Sequence, residues 1–240
     1  MRIDQPFRKG YTVDSIIQTE GVIRSFHSGR ETVHALKGIT LNIEAGKLTL
    51  LKGRSGSGKT TLMNLLGALD RPNAGVITFE GRDITKSGEP FRDGLRRKKI
   101  GFIFQSVALI SMMSAYENVE FGLRVAGYPA RERKSRAEEC LALVGLAKRM
   151  HHRPQEMSGG EQQRVAIARA IAHKPSIVFA DEPTAELDSH MGLQVMRLFR
   201  RLVDTEGLTV VITTHDPAMF EIADHAYTLE DGEIVDERKG

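Results

Sequence analysis

The chain has 240 residues, 40% of them hydrophobic and 27% charged, and a formal net charge of +3. Such a composition suits a soluble globular protein with a sizeable core. The charge is too small to argue for nucleic acid by itself. The single cysteine, Cys140, excludes an internal disulfide framework and fits a reducing compartment. No apolar run approaches the roughly 20 residues that span a bilayer. The charged stretch Met1–Lys9 has no apolar core of a signal peptide, so none is expected.

Residues 1–18 are predicted to be a loose N-terminal tail. Alternating runs then follow at Val22–Phe26, Val33–Leu36 and Ile39–Ile43, punctuated by Ser28-Gly29, and read as three antiparallel strands. Lys47–Leu51 is a short apolar run, read as a buried strand. Beyond residue 61, Leu62, Met63, Leu65, Leu66 and Leu69 recur at helical spacing. A turn at Arg71–Gly75 leads into a strand at Val76–Gly81. Phe91–Lys99 reads as a basic helix, and Ile100–Phe104 as a buried strand ending at Gln105.

The middle of the chain is helical from Ala115 to Gly145, broken at Gly127-Tyr128-Pro129, with Val119, Leu123, Leu141, Leu143 and Val144 as core candidates. Pro154–Gly160 reads as a loop and Glu161–His173 as a helix. Strands are expected at Ile177–Ala180 and Leu208–Thr213, with a helix from Ser189 to Val203 between them. Asp231-Gly232 sits between two apolar runs and predicts a closing hairpin. Strands alternating with helices imply an α/β fold with a mainly parallel sheet, an N-terminal antiparallel β-subdomain and a helical subdomain inserted over about residues 106–160. The basic clusters Arg92/Arg96/Arg97/Lys98/Lys99 and Arg131/Arg133/Lys134/Arg136 are read as solvated helix faces.

Gly53-Arg54-Ser55-Gly56-Ser57-Gly58-Lys59-Thr60-Thr61 carries the chemistry. It matches G-x-x-x-x-G-K-[ST], the phosphate-binding loop. The glycines let several backbone N–H groups face one anion, Lys59 would reach the β- and γ-phosphates, and the Thr60 hydroxyl would ligate Mg²⁺. A strand before it and a helix after it set the phosphates at a helix N-terminus. The apolar strand ending in Asp181-Glu182 is the second half of a nucleotide site: Asp181 would hold Mg²⁺ and Glu182 would activate water. Ser158-Gly159-Gly160 opens a helix and exposes backbone donors, so it is a second anion site. Two such helix ends in one chain suggest two chains sharing each nucleotide.

Ser158-Gly159-Gly160-Glu161-Gln162-Gln163 closely resembles the signature sequence of ATP-binding-cassette (ABC) ATPases, with Met157 in place of the usual leucine. The resemblance runs from about Thr19 to the C-terminus and implies further roles. Gln105 resembles the glutamine that senses Mg²⁺ and γ-phosphate, and His215 the histidine that contacts γ-phosphate. Asp188, in Ala185–Asp188, corresponds to the acidic residue at the dimer contact, although Glu186 replaces a small residue there. Phe26 falls where an aromatic ring stacks on adenine. ATP and Mg²⁺ are the implied cofactors, and a second copy of the chain and integral membrane permease subunits the implied partners. Nucleic acid is not expected, and the location would be peripheral, on the cytoplasmic face through the permease.

Ala68–Pro72, Ile100–Gln105, Glu117–Val119 and Ala180–Thr184 look like the lipoprotein-releasing and macrolide-efflux branch; the amino-acid importer branch shares several of these motifs and stays open. A soluble non-transport ABC ATPase and a phosphate-loop kinase are the rivals from other classes. Val107–Met113, apolar and directly after Gln105, reads either as a core loop or as a docking surface for a partner helix.

Overall fold

The computed structural model describes residues 15–29, 31–215 and 221–239, so the predicted tail lies largely outside the described residues. Strand β1 (Ser15–Ser28) already starts at Ser15, with Ile16 and Ile17 buried. It pairs antiparallel with β2 (Glu31–Glu44) and β4 (Ala74–Phe79), and β4 pairs with the two-residue β5 (Arg82–Asp83). The sequence predicts two strands where β2 is one. Gly38, at φ +105°, carries the chain through an irregular register without ending the ladder.

The second sheet has six strands in the order β10-β9-β3-β8-β7-β6. These are β3 (Leu48–Lys52), β6 (Ile100–Ile103), β7 (Ile177–Asp181), β8 (Thr209–Thr214), β9 (His225–Glu230) and β10 (Glu233–Lys239). All pairs are parallel except the closing hairpin β9–β10. Its turn, Asp231-Gly232, has φ of +46° and +83°, as a two-residue hairpin loop requires.

Being buried on both faces, the parallel strands read as continuous apolar runs. Leu48, Leu50, Val178, Ala180, Val210 and Ile212 face one core, while Leu51, Phe179, Val211 and Leu229 face the other. The second core is closed by α1 (Lys59–Leu66) and the β-subdomain. The first is closed by α3 (Ala115–Val125), α4 (Ala130–Leu143), α5 (Gly159–Ile171) and α6 (Ser189–Glu206). The remaining helix, α2 (Glu89–Lys99), leads into β6.

Several local expectations change. Phe104 lies past β6, 44% exposed, with its ring stacked 5.8 Å from Phe102. Leu143 is only half-buried at the end of α4. The predicted loop Pro154–Gly160 holds a 3-10 turn over Pro154–Glu156, and α5 starts at Gly159. The basic clusters are not simply solvated. Arg92 is buried and donates to the carbonyls of Ala68 and Asp70, and Arg96 also donates to Ala68. Arg136 does the same for Ile171 and Ala172 at the end of α5. Guanidinium groups there satisfy carbonyls that the helices leave open.

Candidate nucleotide site

The phosphate loop leaves β3 between its neighbours β8 and β9, at the C-terminal ends of the parallel strands, where open α/β sheets form their crevices. Gly56 and Gly58 have φ of +81° and +102°, which turn the loop back onto the start of α1. A Cβ on Gly58 would lie 2.7 Å from the Ala35 carbonyl oxygen. The hairpin turn locks against the same place: Gly232 N–H donates to Ser57 O (3.1 Å) and Lys37 N–H to Gly232 O (2.9 Å). So the loop is shaped from outside, by β2 and the β9–β10 turn, as well as by its own glycines.

A cleft of about 800 Å³ opens over the loop. Of the residues predicted for the site, it gathers Arg54, Ser55, Gly56, Gly58, Lys59, Thr60, Thr61, Gln105, Asp181, Glu182 and His215. Lys59 is buried, its ammonium donating to the carbonyls of Gly53 (2.8 Å) and Arg54 (3.0 Å). Ser57 is buried too, and its hydroxyl has no protein partner among the described residues. Thr60 Oγ1 donates to Asp181 Oδ2 at 3.1 Å, which sets a hydroxyl and a carboxylate side by side from the ends of α1 and β7. Thr213, opposite Asp181 in the ladder, donates its hydroxyl to Asp181 Oδ1 (2.5 Å) and accepts the Glu182 N–H (2.9 Å). Glu182 has φ +43°, an uncommon conformation for a side-chain-bearing residue, and its carboxylate lies 3.5 Å from His215 Nδ1.

These groups fit a nucleotide triphosphate with a divalent ion. The glycine-rich loop and Lys59 line one cleft, while Thr60 and Asp181 offer the hard oxygen ligands that Mg²⁺ takes.

Ser158, Gly159, Gly160 and Asp188 do not line this cleft. Ser158 caps α5 in a reciprocal box: its hydroxyl accepts Glu161 N–H (3.3 Å), and Glu161 Oε2 accepts Ser158 N–H (2.9 Å). The Ser158 N–H holds the Glu161 carboxyl below its ordinary range. Asp188 caps α6, accepting Met191 N–H at 2.9 Å. A Cβ on Gly160 would meet the Met191 methyl at 2.0 Å, so the two capped helix starts pack together. Phe26 also lies outside the cleft-lining set. It is 41% exposed, with the Arg24 guanidinium 4.4 Å over its ring, but it pairs with Val33, which does line the cleft. Sequence reasoning missed Val33, His34, Ala35, Lys37, Asp231 and Gly232 as lining residues. The Asp-Gly turn is visible in the sequence as a hairpin, but nothing local says where it folds.

The ABC transporter family model matches residues 36–185. An uncharacterized ABC transporter ATP-binding protein of Thermotoga maritima is 43% identical over 226 residues, which cover 94% of this chain and 96% of that protein. The chain belongs to the ABC transporter ATP-binding family. This ABC cassette is an ATPase of the α/β phosphate-loop type. It is also 46% identical over 220 residues to the macrolide export ATP-binding/permease protein MacB of Azoarcus sp. (strain BH72), covering 92% of this chain but 33% of that one. The cassette thus spans nearly all of the first relative and about a third of MacB.

Among solved structures, the ATP-binding cassette MJ0796, in a dimeric post-hydrolysis state bound to ADP and Pi, superposes with a TM-score of 0.85. It is 38% identical, with 93% of this chain and 98% of that one covered. The cassette cbiO1 of Clostridium perfringens, part of the complex cbiONQ, gives 0.86 at 29% identity, covering 94% and 89%.

Proposed function

We propose that two copies of this cassette close around two ATP molecules and drive a membrane permease of the lipoprotein-release, macrolide or antimicrobial-peptide efflux type. The observation that carries this reading is the division of the site. The phosphate loop and the acidic strand end share one cleft, while the capped N-terminus of α5 stands outside it with its glycines. A second anion-binding end that cannot serve its own chain's cleft fits one supplied to a second copy. The dimeric MJ0796 cassette, bound to ADP and Pi, supports the arrangement.

In this reading Lys59 leaves the loop carbonyls and takes the β- and γ-phosphates. Thr60 and Asp181, with Gln105, hold Mg²⁺, which when bound neutralises charge developing on the phosphate oxygens. Glu182 accepts the proton of the attacking water, and His215 beside it contacts the γ-phosphate and fixes that carboxylate. Ser158, Gly159, Gly160 and Asp188 face the partner copy's nucleotide, and Phe26 offers its open face to adenine. No helix among the described residues is long and apolar enough to cross a membrane, so attachment at the cytoplasmic face would run through the permease. MacB, named as both ATP-binding protein and permease, supports that pairing.

The test is Glu182→Gln. Turnover should fall on the order of 10²–10⁴-fold, as for loss of a general base. Size-exclusion chromatography with ATP should then show a trapped dimer. A variant that stays monomeric with ATP while hydrolysing it at the normal rate would remove Glu182 as the base.

A further inference from the structure

Away from the nucleotide cleft, α5 and α6 enclose a second concavity of about 410 Å³ against the Val144-Gly145 turn that ends α4. Three arginines line it: Arg164 from α5, and Arg197 and Arg201 from successive turns of α6. Most arginines on the surrounding helices are paired. Arg136 meets Glu139, Arg149 meets Glu161, Arg200 meets Asp204 and Asp224, and Arg169 donates to the carbonyls of Val107 and Ala108. Among the described residues, Arg164, Arg197 and Arg201 have neither a carboxylate within 4.0 Å nor a hydrogen-bond acceptor for their guanidinium groups.

The end of α4 does not supply those acceptors. The carbonyls of Cys140, Leu141 and Ala142 already accept the N–H groups of Val144, Leu146 and Gly145. Like charges one turn apart, such as Arg197 and Arg201, disfavour a helix, and a third cation facing them adds to the repulsion. Arg197 and Arg201 are exposed and Arg164 is half-buried, with Glu161 acting on it at longer range, so the recess gathers three cationic side chains that no carboxylate holds in direct contact. Gln194, with its amide beside His190, adds a polar group at the rim.

We infer that this recess is a second anion site, separate from the nucleotide cleft, which takes a compact phosphate-bearing ligand with at least two phosphoryl groups. Planar guanidinium forks match phosphoryl oxygens two at a time, and three of them around one cavity suit several phosphate groups rather than one. The recess spans α5 and α6, the two helices whose capped starts pack at Gly160 and Met191. A ligand bridging Arg164 to Arg197 and Arg201 would therefore tie together the helix pair that begins at the second anion-binding end.

The test is calorimetric titration of tripolyphosphate into the full chain with its nucleotide cleft filled by ADP. One further binding event per chain is expected. The double variant Arg197→Gln/Arg201→Gln keeps good helix formers at exposed positions and should stay folded, which circular dichroism checks. It should weaken the event by about tenfold or more, since two charge-assisted contacts are lost. Lys59→Ala should leave the same event unchanged, which separates this site from the phosphate loop whatever nucleotide that loop prefers. Flotation with vesicles containing cardiolipin, whose headgroup carries two phosphoryl groups, against neutral vesicles distinguishes the source. Capture that the double variant abolishes assigns a lipid headgroup, and tripolyphosphate binding without capture assigns a soluble ligand. If neither probe binds, or if binding is lost in Lys59→Ala and kept in the double variant, the inference is wrong.

Discussion

At the scale of single residues, Thr213 holds more of the site together than its sequence context suggests. One buried hydroxyl both donates to Asp181 and accepts from the strained Glu182. Thr213→Val keeps the shape but leaves the Glu182 N–H without its acceptor. The expected cost is about 1–3 kcal/mol in unfolding free energy, with ATP turnover falling further than stability alone explains. Denaturant titration and steady-state turnover on the same preparation check both parts; an unchanged midpoint would mean that water replaces the hydroxyl. Lys59→Ala should abolish turnover in a protein that remains folded. Normal turnover there would end the assignment of this loop to phosphate.

At the scale of elements, the segment between Gln105 and α3 is divided rather than uniform. Val107 and Leu109 pack on the core, while Met112 is 73% exposed. The core reading thus holds for Val107 and Leu109, and the docking reading is left to the exposed Met112. Asn118 pins the segment from α3, donating to the carbonyls of Ile110, Met113 and Ser114 and accepting Ile110 N–H. Charge at Leu109 would damage the core, so Met112→Asp is the clean probe of a docking surface. It should leave the free ATPase nearly intact and reduce recovery of a membrane partner from detergent-solubilised membranes; unchanged recovery would move the docking site elsewhere.

The sheet edge carries a pH dependence. Burial pushes the His173 imidazole below its ordinary value of 6.5, although its hydrogen bond to Ile100 O opposes this. The folded chain therefore resists protonation that the unfolded chain accepts. This contribution to stability is complete above pH 6.5 and is lost as pH falls through the lowered folded value. His173→Gln, which can still donate to Ile100 O, should flatten the fall in stability between neutral and mildly acidic pH. Equal slopes for the two proteins would assign the acid sensitivity to other groups.

At the scale of the whole molecule, Cys140 reports on folding. It is fully buried in the helical core, and burial pushes its thiol up to about 11. Only the thiolate attacks alkylating reagents, so the native thiol is inert at neutral pH. Its modification should track global unfolding across a denaturant series, coinciding with loss of circular dichroism. Modification well before that transition would mean that the layer of α3, α4 and α5 opens independently of the sheet.

Features legible in the sequence are those in which a few adjacent residues constrain their own backbone. The phosphate loop needs glycine at positive φ, the capping box needs Ser158 and Glu161 three apart, and a doubly buried parallel strand needs an unbroken apolar run. Such requirements identified the sheet, the loop, the acidic strand end at Asp181-Glu182 and the family signature. Tertiary structure alone decided which distant segments meet. It brought Val33–Lys37 and the Asp231-Gly232 turn onto the phosphate loop, set Arg92 on the carbonyls of Ala68 and Asp70, and gathered Arg164, Arg197 and Arg201 around one recess. The reason is physical. Contacts across long stretches of chain depend on how whole layers pack, and an arginine in a helix has the same local sequence whether it faces water, a carbonyl or two other arginines.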